Sequence, residues 1–195
     1  MAPDGVEDSV EKATAYLDAV VGDHNDTPGA TRERRAAYIR EAPEMVDFLV
    51  SQGIKLRRIK SWPDYYDDRP GGSEPGRTVV AEIFNINELG PWKDKLRPSH
   101  MPVAAPLDEM MMLPLFKVSW ESKYLMVKTG LRMFWRKLVG SHVVPAGCAL
   151  QGRMLQAAVK ANVEIRVNSG VKELILENGA VVGVVTTKDG RDWRV

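Results

Sequence analysis

Seven prolines between residues 63 and 106 limit this chain more than any other feature: Pro63, Pro70, Pro75, Pro91, Pro98, Pro102 and Pro106. Each lacks a backbone N–H and turns the residue before it away from the helix, so little regular structure is expected across 61–112. Loops of this length are uncommon in compact domains and tend to serve a function. Trp62, Tyr65, Tyr66, Phe84 and Trp92 lie among the prolines. Side chains of that size supply burial, which argues for order rather than disorder.

The flanks carry clearer periodicity. Between Asp8 and Val21, the apolar residues Val10, Ala13, Leu17, Val20 and Val21 recur at helical spacing, with Asp8 or Ser9 as cap and Gly22 as stop. After a turn-rich loop over 22–30, Thr31 opens a second amphipathic helix that runs toward Gly53. Pro43 predicts a kink or a break near Ala42. Residues 115–139 mix Phe116, Trp120, Leu125, Met126, Leu131, Phe134, Trp135 and Leu138 with many basic side chains. They predict one or two helices with a broad apolar surface, interrupted near Gly130.

The last fifty residues predict a helix over 148–161 and β-rich runs at 163–167, 171–176, 181–187 and 191–195. Asn178-Gly179 and Asp189-Gly190 are hairpin signals, so the strands read as an antiparallel meander.

Charge and cysteine usage exclude some partners. The 27 basic and 26 acidic residues nearly cancel. No nucleic-acid motif accompanies the basic stretch, so no nucleic-acid partner is expected. One cysteine, Cys148, allows no internal disulfide and fits a reducing compartment. His24, His100 and His142 lie too far apart for zinc-ligand spacing. The N-terminus has no secretory pattern, and no run of about 18 apolar residues occurs. The expectation is a cytoplasmic protein.

Three segments, in order, resemble one family. DSVEKATAYLDAVVGD and RERRAAYIREAPEMVDFLVSQG are similar to the paired helices after the first nucleotide-binding segment of FAD-dependent fumarate reductases and 3-ketosteroid dehydrogenases. WPDYYDDRPGGSEPGR resembles a loop of the ketosteroid dehydrogenase branch. GCALQGRMLQAAVKANVEIRVNSGVKELILENGAVVGVVTTKDGR is similar to the helix and meander of flavoproteins with two dinucleotide folds. The family's G-x-G-x-x-G turn between strand and helix is absent here, and Gly71-Gly72 sits in a proline-rich loop instead. The resemblance therefore implies an α+β fold covering an internal part of an FAD-binding domain, with 8–53, 61–112, 115–139 and 146–195 as its parts. On this reading the complete protein binds FAD, while the chain alone binds it weakly or not at all.

The resemblance implies a dehydrogenase that introduces a C=C bond beside a ketone, with a steroid-like substrate and hydride transfer to the flavin. A fumarate reductase-like enoate reductase and a non-catalytic module that binds a partner or membrane are the alternatives. Tyr65, with Tyr66 second, matches the family's pocket tyrosine. A phenol can donate a hydrogen bond, or take a proton when its surroundings favour the phenolate. The other reading of the pair is an aromatic anchor for the loop. Arg77 is a substrate-pocket or ion-pairing residue, and the glycines beside it form either an anion nest or a turn. Val171 corresponds to a residue whose backbone meets adenine. Cys148 reads as a buried thiol more readily than a reactive one, and the histidines as ordinary loop residues. The 115–139 stretch suits peripheral membrane contact or burial against another domain. Exposed apolar faces predict self-association.

Overall fold

The computed structural model describes residues 7–23, 27–98 and 105–195. His24 and His100 lie outside them. Two compact units form, Met1–Ala157 and Ala158–Val195.

The first unit begins with α1 (Val10–Val21) and α2 (Arg32–Ser51). Ser9 caps α1 by accepting from the Lys12 N–H, and Gly22 closes it at φ 75°, a left-handed conformation that suits glycine. Arg35 of α2 ties the two helices. Its guanidinium lies 2.9 Å from Asp18 and donates to the Gly22 carbonyl at 3.1 Å. α2 runs without a break through Pro43; the proline removes one hydrogen bond of a twenty-residue ladder and the rest hold.

β1 (Leu56–Arg58) and β2 (Val79–Ala81) form an antiparallel hairpin with Leu56 opposite Ala81. β3 (Phe84–Asn85) pairs with β4 (Val143–Val144), also antiparallel. Between them lie a 3-10 segment (Ile86–Lys95) that breaks at Gly90, α3 (Leu107–Met112), a second 3-10 segment (Leu113–Lys117) and α4 (Trp120–Leu138). The proline-rich stretch is thus more regular than expected, because strands of two or three residues and tight 3-10 turns fit between prolines. α4 passes through Gly130 uninterrupted; one glycine costs a helix only about 1 kcal/mol.

α5 (Ala146–Lys160) packs on the core formed by Ala81, Phe84, Leu89, Val144 and Ala149. Gly152 permits that approach, since an added Cβ would stand 2.7 Å from the Phe84 ring. Arg153 bonds the Glu82 and Ile83 carbonyls and lies over the same ring.

The second unit is a meander of β5 (Gly170–Glu177), β6 (Ala180–Lys188) and β7 (Arg191–Arg194). Both turns have two residues at positive φ, Asn178-Gly179 and Asp189-Gly190, as the sequence predicts. The expected strand over 163–167 does not form. Left-handed Asn162 and Asn168 bracket it, and β5 to β7 pair only with one another. No residue of the three strands is fully buried. The described helices include none long and apolar enough to cross a membrane.

Candidate functional site

The connection between β1 and β2 positions the candidate tyrosines. Residues 59–78 leave and re-enter the hairpin, and backbone hydrogen bonds close the neck. Ile59 N–H donates to Thr78 O (3.1 Å), Gly76 N–H to Trp62 O (2.7 Å) and Asp64 N–H to Ser73 O (3.0 Å). Arg58 adds side-chain bonds to the carbonyls of Gly76, at 2.6 Å, and Pro75. A long loop braced in this way presents its tip in one conformation without needing secondary structure.

Tyr65 and Tyr66 stand at that tip. Tyr65 is 84% exposed and Tyr66 46% exposed. Their rings meet edge to face, with centroids 5.4 Å apart, an arrangement favoured by the ring quadrupoles. The Tyr66 N–H donates to Tyr16 Oη of α1 at 3.1 Å. Tyr66 is therefore fixed to the helix pair, while the Tyr65 phenol points away from the unit's packing.

Arg77 holds the loop to the N-terminal helix. Its Nε and Nη2 donate to the two Asp8 carboxylate oxygens at 2.9 and 2.8 Å, Nη1 bonds Asp64, and Nη2 also reaches the Gly71 carbonyl at 3.0 Å. Its own N–H donates to Asp64 Oδ1 at 2.7 Å, and the guanidinium lies 5.5 Å from the Tyr16 ring centre. The fork is thus engaged with Asp8, Asp64 and Gly71. Burial pulls the Asp8 carboxyl upward, but the bonds and charge of Arg77 outweigh it and hold Asp8 below the ordinary carboxylate range. The same bonds push Arg77 higher still.

The neighbouring glycines serve close backbone approach. An added Cβ would stand 2.2 Å from the Lys12 carbonyl at Gly71, 2.4 Å from that of Asp67 at Gly72, and 2.3 Å from the Asp64 nitrogen at Gly76. A side chain at any of the three would meet the chain's own backbone.

Val171 lies on β5, the edge of the three-stranded sheet, at a shift in register between Val171 and Glu173. An edge strand leaves backbone donors and acceptors unpaired on its outer side, and a bulge frees more. Cys148 hydrogen-bonds the Arg97 carbonyl, and burial pushes its thiol up, the opposite of what a reactive thiolate needs. Both Cys148 and His142 line a cleft of ≈ 760 Å³. Among the described residues no cluster of His, Cys, Asp and Glu could hold a metal ion.

Sequence reasoning missed Asp8, Tyr16, Arg58 and Asp64. Asp64 stood inside the PDYY motif, where an acidic residue after proline marks a turn. Nothing in the sequence links Asp8 to a partner 69 residues away.

A family model described as an FAD binding domain matches residues 1–195. The 3-oxosteroid 1-dehydrogenase of Mycobacterium tuberculosis is 32% identical over 187 residues, covering 92% of this chain and 32% of that protein. The 4-oxocyclohexanecarboxylate 2-dehydrogenase of Sinomonas cyclohexanicum is 26% identical over 196 residues, with coverage of 96% and 31%. A crystal structure of 3-ketosteroid delta1-dehydrogenase from Sterolibacterium denitrificans, in complex with 1,4-androstadiene-3,17-dione, matches with a TM-score of 0.76 at 22% identity. That match covers 97% of this chain and 36% of the other, and is a likeness of fold. The chain spans 32% of the Mycobacterium tuberculosis relative and 31% of the Sinomonas relative, about a third of each.

Proposed function

The chain belongs to the FAD-binding domain family, and from that premise we propose that the complete protein is an FAD-dependent dehydrogenase that introduces a C=C bond beside the ketone of a steroid-like substrate. The observation that carries this reading is the exposed Tyr65 phenol on a braced loop. Tyr65 Oη takes the proton from the carbon next to the ketone, or hydrogen-bonds the ketone itself. Tyr66 and Tyr16 hold the tip in place, and Arg77 acts as a positioning residue through Asp8 and Asp64. The relatives above are named as dehydrogenases of oxo compounds, which favours this direction over enoate reduction.

The residues present fit one end of the cofactor. The edge of β5 at Val171 offers the backbone groups that an adenine ring pairs with. They do not fit the pyrophosphate, because no described helix opens on a G-x-G-x-x-G turn. FAD, when bound by the complete protein, supplies the hydride acceptor.

Tyr65→Phe in the complete protein tests the assignment. Loss of a positioned acid–base group should lower kcat by about 10²- to 10⁴-fold, with flavin content unchanged. Tyr66→Phe should be mild, because its N–H, not its hydroxyl, makes the bond to α1. A Tyr65→Phe protein with the parent's kcat would return Tyr65 to a loop anchor.

A further inference from the structure

α4 packs through its smaller face and exposes its larger one. Ser122, Leu125 and Thr129 are buried. Trp120, Tyr124, Val127, Leu131, Phe134 and Leu138 follow at steps of four and three residues, which places them in one stripe. Every one of them is 62% to 82% exposed, and Trp135 beside them is 65% exposed. An ordinary surface helix turns its aromatic stripe inward.

The edges of the stripe are basic. By helical spacing, Lys123 and Lys137 flank one side and Lys128, whose ammonium lies 3.8 Å from Glu109 of α3, the other. The Lys123 ammonium lies 4.1 Å from the Trp120 ring centre, and Lys117 lies over Phe116 just before the helix. Glu121 is the one acidic residue of α4.

We propose that this face docks the protein on an anionic lipid surface, with α4 lying in the headgroup plane. Its aromatic stripe with lysines on both flanks is the pattern of an interfacial helix. Trp120, Tyr124 and Trp135 have the amphipathic rings that sit at headgroup level, and the lysine stems can reach outward to lipid phosphates. Charge complementarity selects lipid over a second copy of the chain, because pairing two such stripes would set lysine against lysine along both edges. The dock rests on α4 alone. Its use, bringing the active site to an apolar ring ketone dissolved in the bilayer, rests on the dehydrogenase reading.

The test is co-sedimentation of the chain with vesicles of phosphatidylcholine alone, or of phosphatidylcholine with phosphatidylserine, at low and high salt. The chain should pellet with the phosphatidylserine vesicles, with a blue-shifted tryptophan emission. Lys123→Glu with Lys137→Glu, and separately high salt, should weaken this binding by about tenfold or more. Trp120→Ser with Leu131→Asp should abolish the emission shift. These side chains are exposed, so far-UV circular dichroism should report an intact helix in both variants. Equal binding to both vesicle types, or binding that neither variant alters, would overturn the proposal. So would a lipid-free dimer, seen by light scattering, that Leu131→Asp dissolves. No flavin or steroid enters the assay, so its failure would leave the dehydrogenase reading standing.

Discussion

Arg77→Ala should loosen the tyrosine-bearing loop far more than its position near the surface suggests. The substitution removes both bonds to Asp8, the side-chain bond to Asp64 and the bond to the Gly71 carbonyl. The Asp64 carboxylate, on a side chain 6% exposed, keeps only the bond from the backbone N–H of residue 77. Removing one partner of a fully buried ion pair costs about 3–5 kcal/mol. The surviving amide bond, and the 12% and 19% exposure of Asp8 and Arg77, lower the expectation to about 2–4 kcal/mol. Arg77→Lys keeps a charge but not the two-pronged fork, and should cost roughly half as much. Hydrogen exchange reads the effect at the amides of Asp64 and Gly76, which close the neck. Their protection should fall by roughly 30- to 1000-fold in Arg77→Ala, the same free energy expressed as an opening equilibrium. Protection unchanged at both amides would mean that the neck bonds and Arg58 hold the loop by themselves, and that Arg77 does not position it.

Two further outcomes follow from the same geometry. Gly152→Ala would drive a methyl against the fully buried Phe84 ring at 2.7 Å. It should destabilise the first unit by about 1–3 kcal/mol, read by denaturant unfolding; an unchanged midpoint would show that the ring can give way. The acid limb of stability should depend on Asp8 and Asp108, both held below the ordinary carboxylate range. For Asp108 the bonds from Arg57 lead, opposed by burial. For Asp8 burial opposes, and Arg77 prevails. A depressed folded value means that the unfolded chain binds more protons. The contribution is therefore complete above the unfolded value of about 3.9 and is lost as pH falls through the lower folded values. Asp8→Asn should flatten the loss of thermal stability below about pH 4; a curve parallel to the parent's would remove Asp8 from that account.

Features set within a few residues were legible in the sequence. The Ser9 cap, the Gly22 stop and the Asn178-Gly179 and Asp189-Gly190 turns each depend on one or two side chains and their own backbone. Features that need a distant partner were not. The run at 163–167 has strand composition but lies between two left-handed asparagines and joins no sheet, whereas β1 to β4 are too short to show a period and exist through pairing across 59–78 and 86–142. A break at Pro43 overrates one lost bond in a long helix. At the site, PDYY drew attention to Tyr65, but the clamp that braces it joins Asp8, Asp64 and Arg77, and no local pattern announces that. The apolar character of α4 was plain from composition; which face packs inward was not, because Ser122 and Thr129 are unusual choices for a buried side.

The central claim is tested most directly by mixing the complete flavin-loaded protein with a 3-oxosteroid in the absence of oxygen and following the flavin absorbance. Bleaching of the oxidised flavin, with formation of the ring-unsaturated ketone, is the predicted result. Flavin that stays oxidised with the ketone, but is reoxidised by an enoate after chemical reduction, would contradict the dehydrogenase assignment.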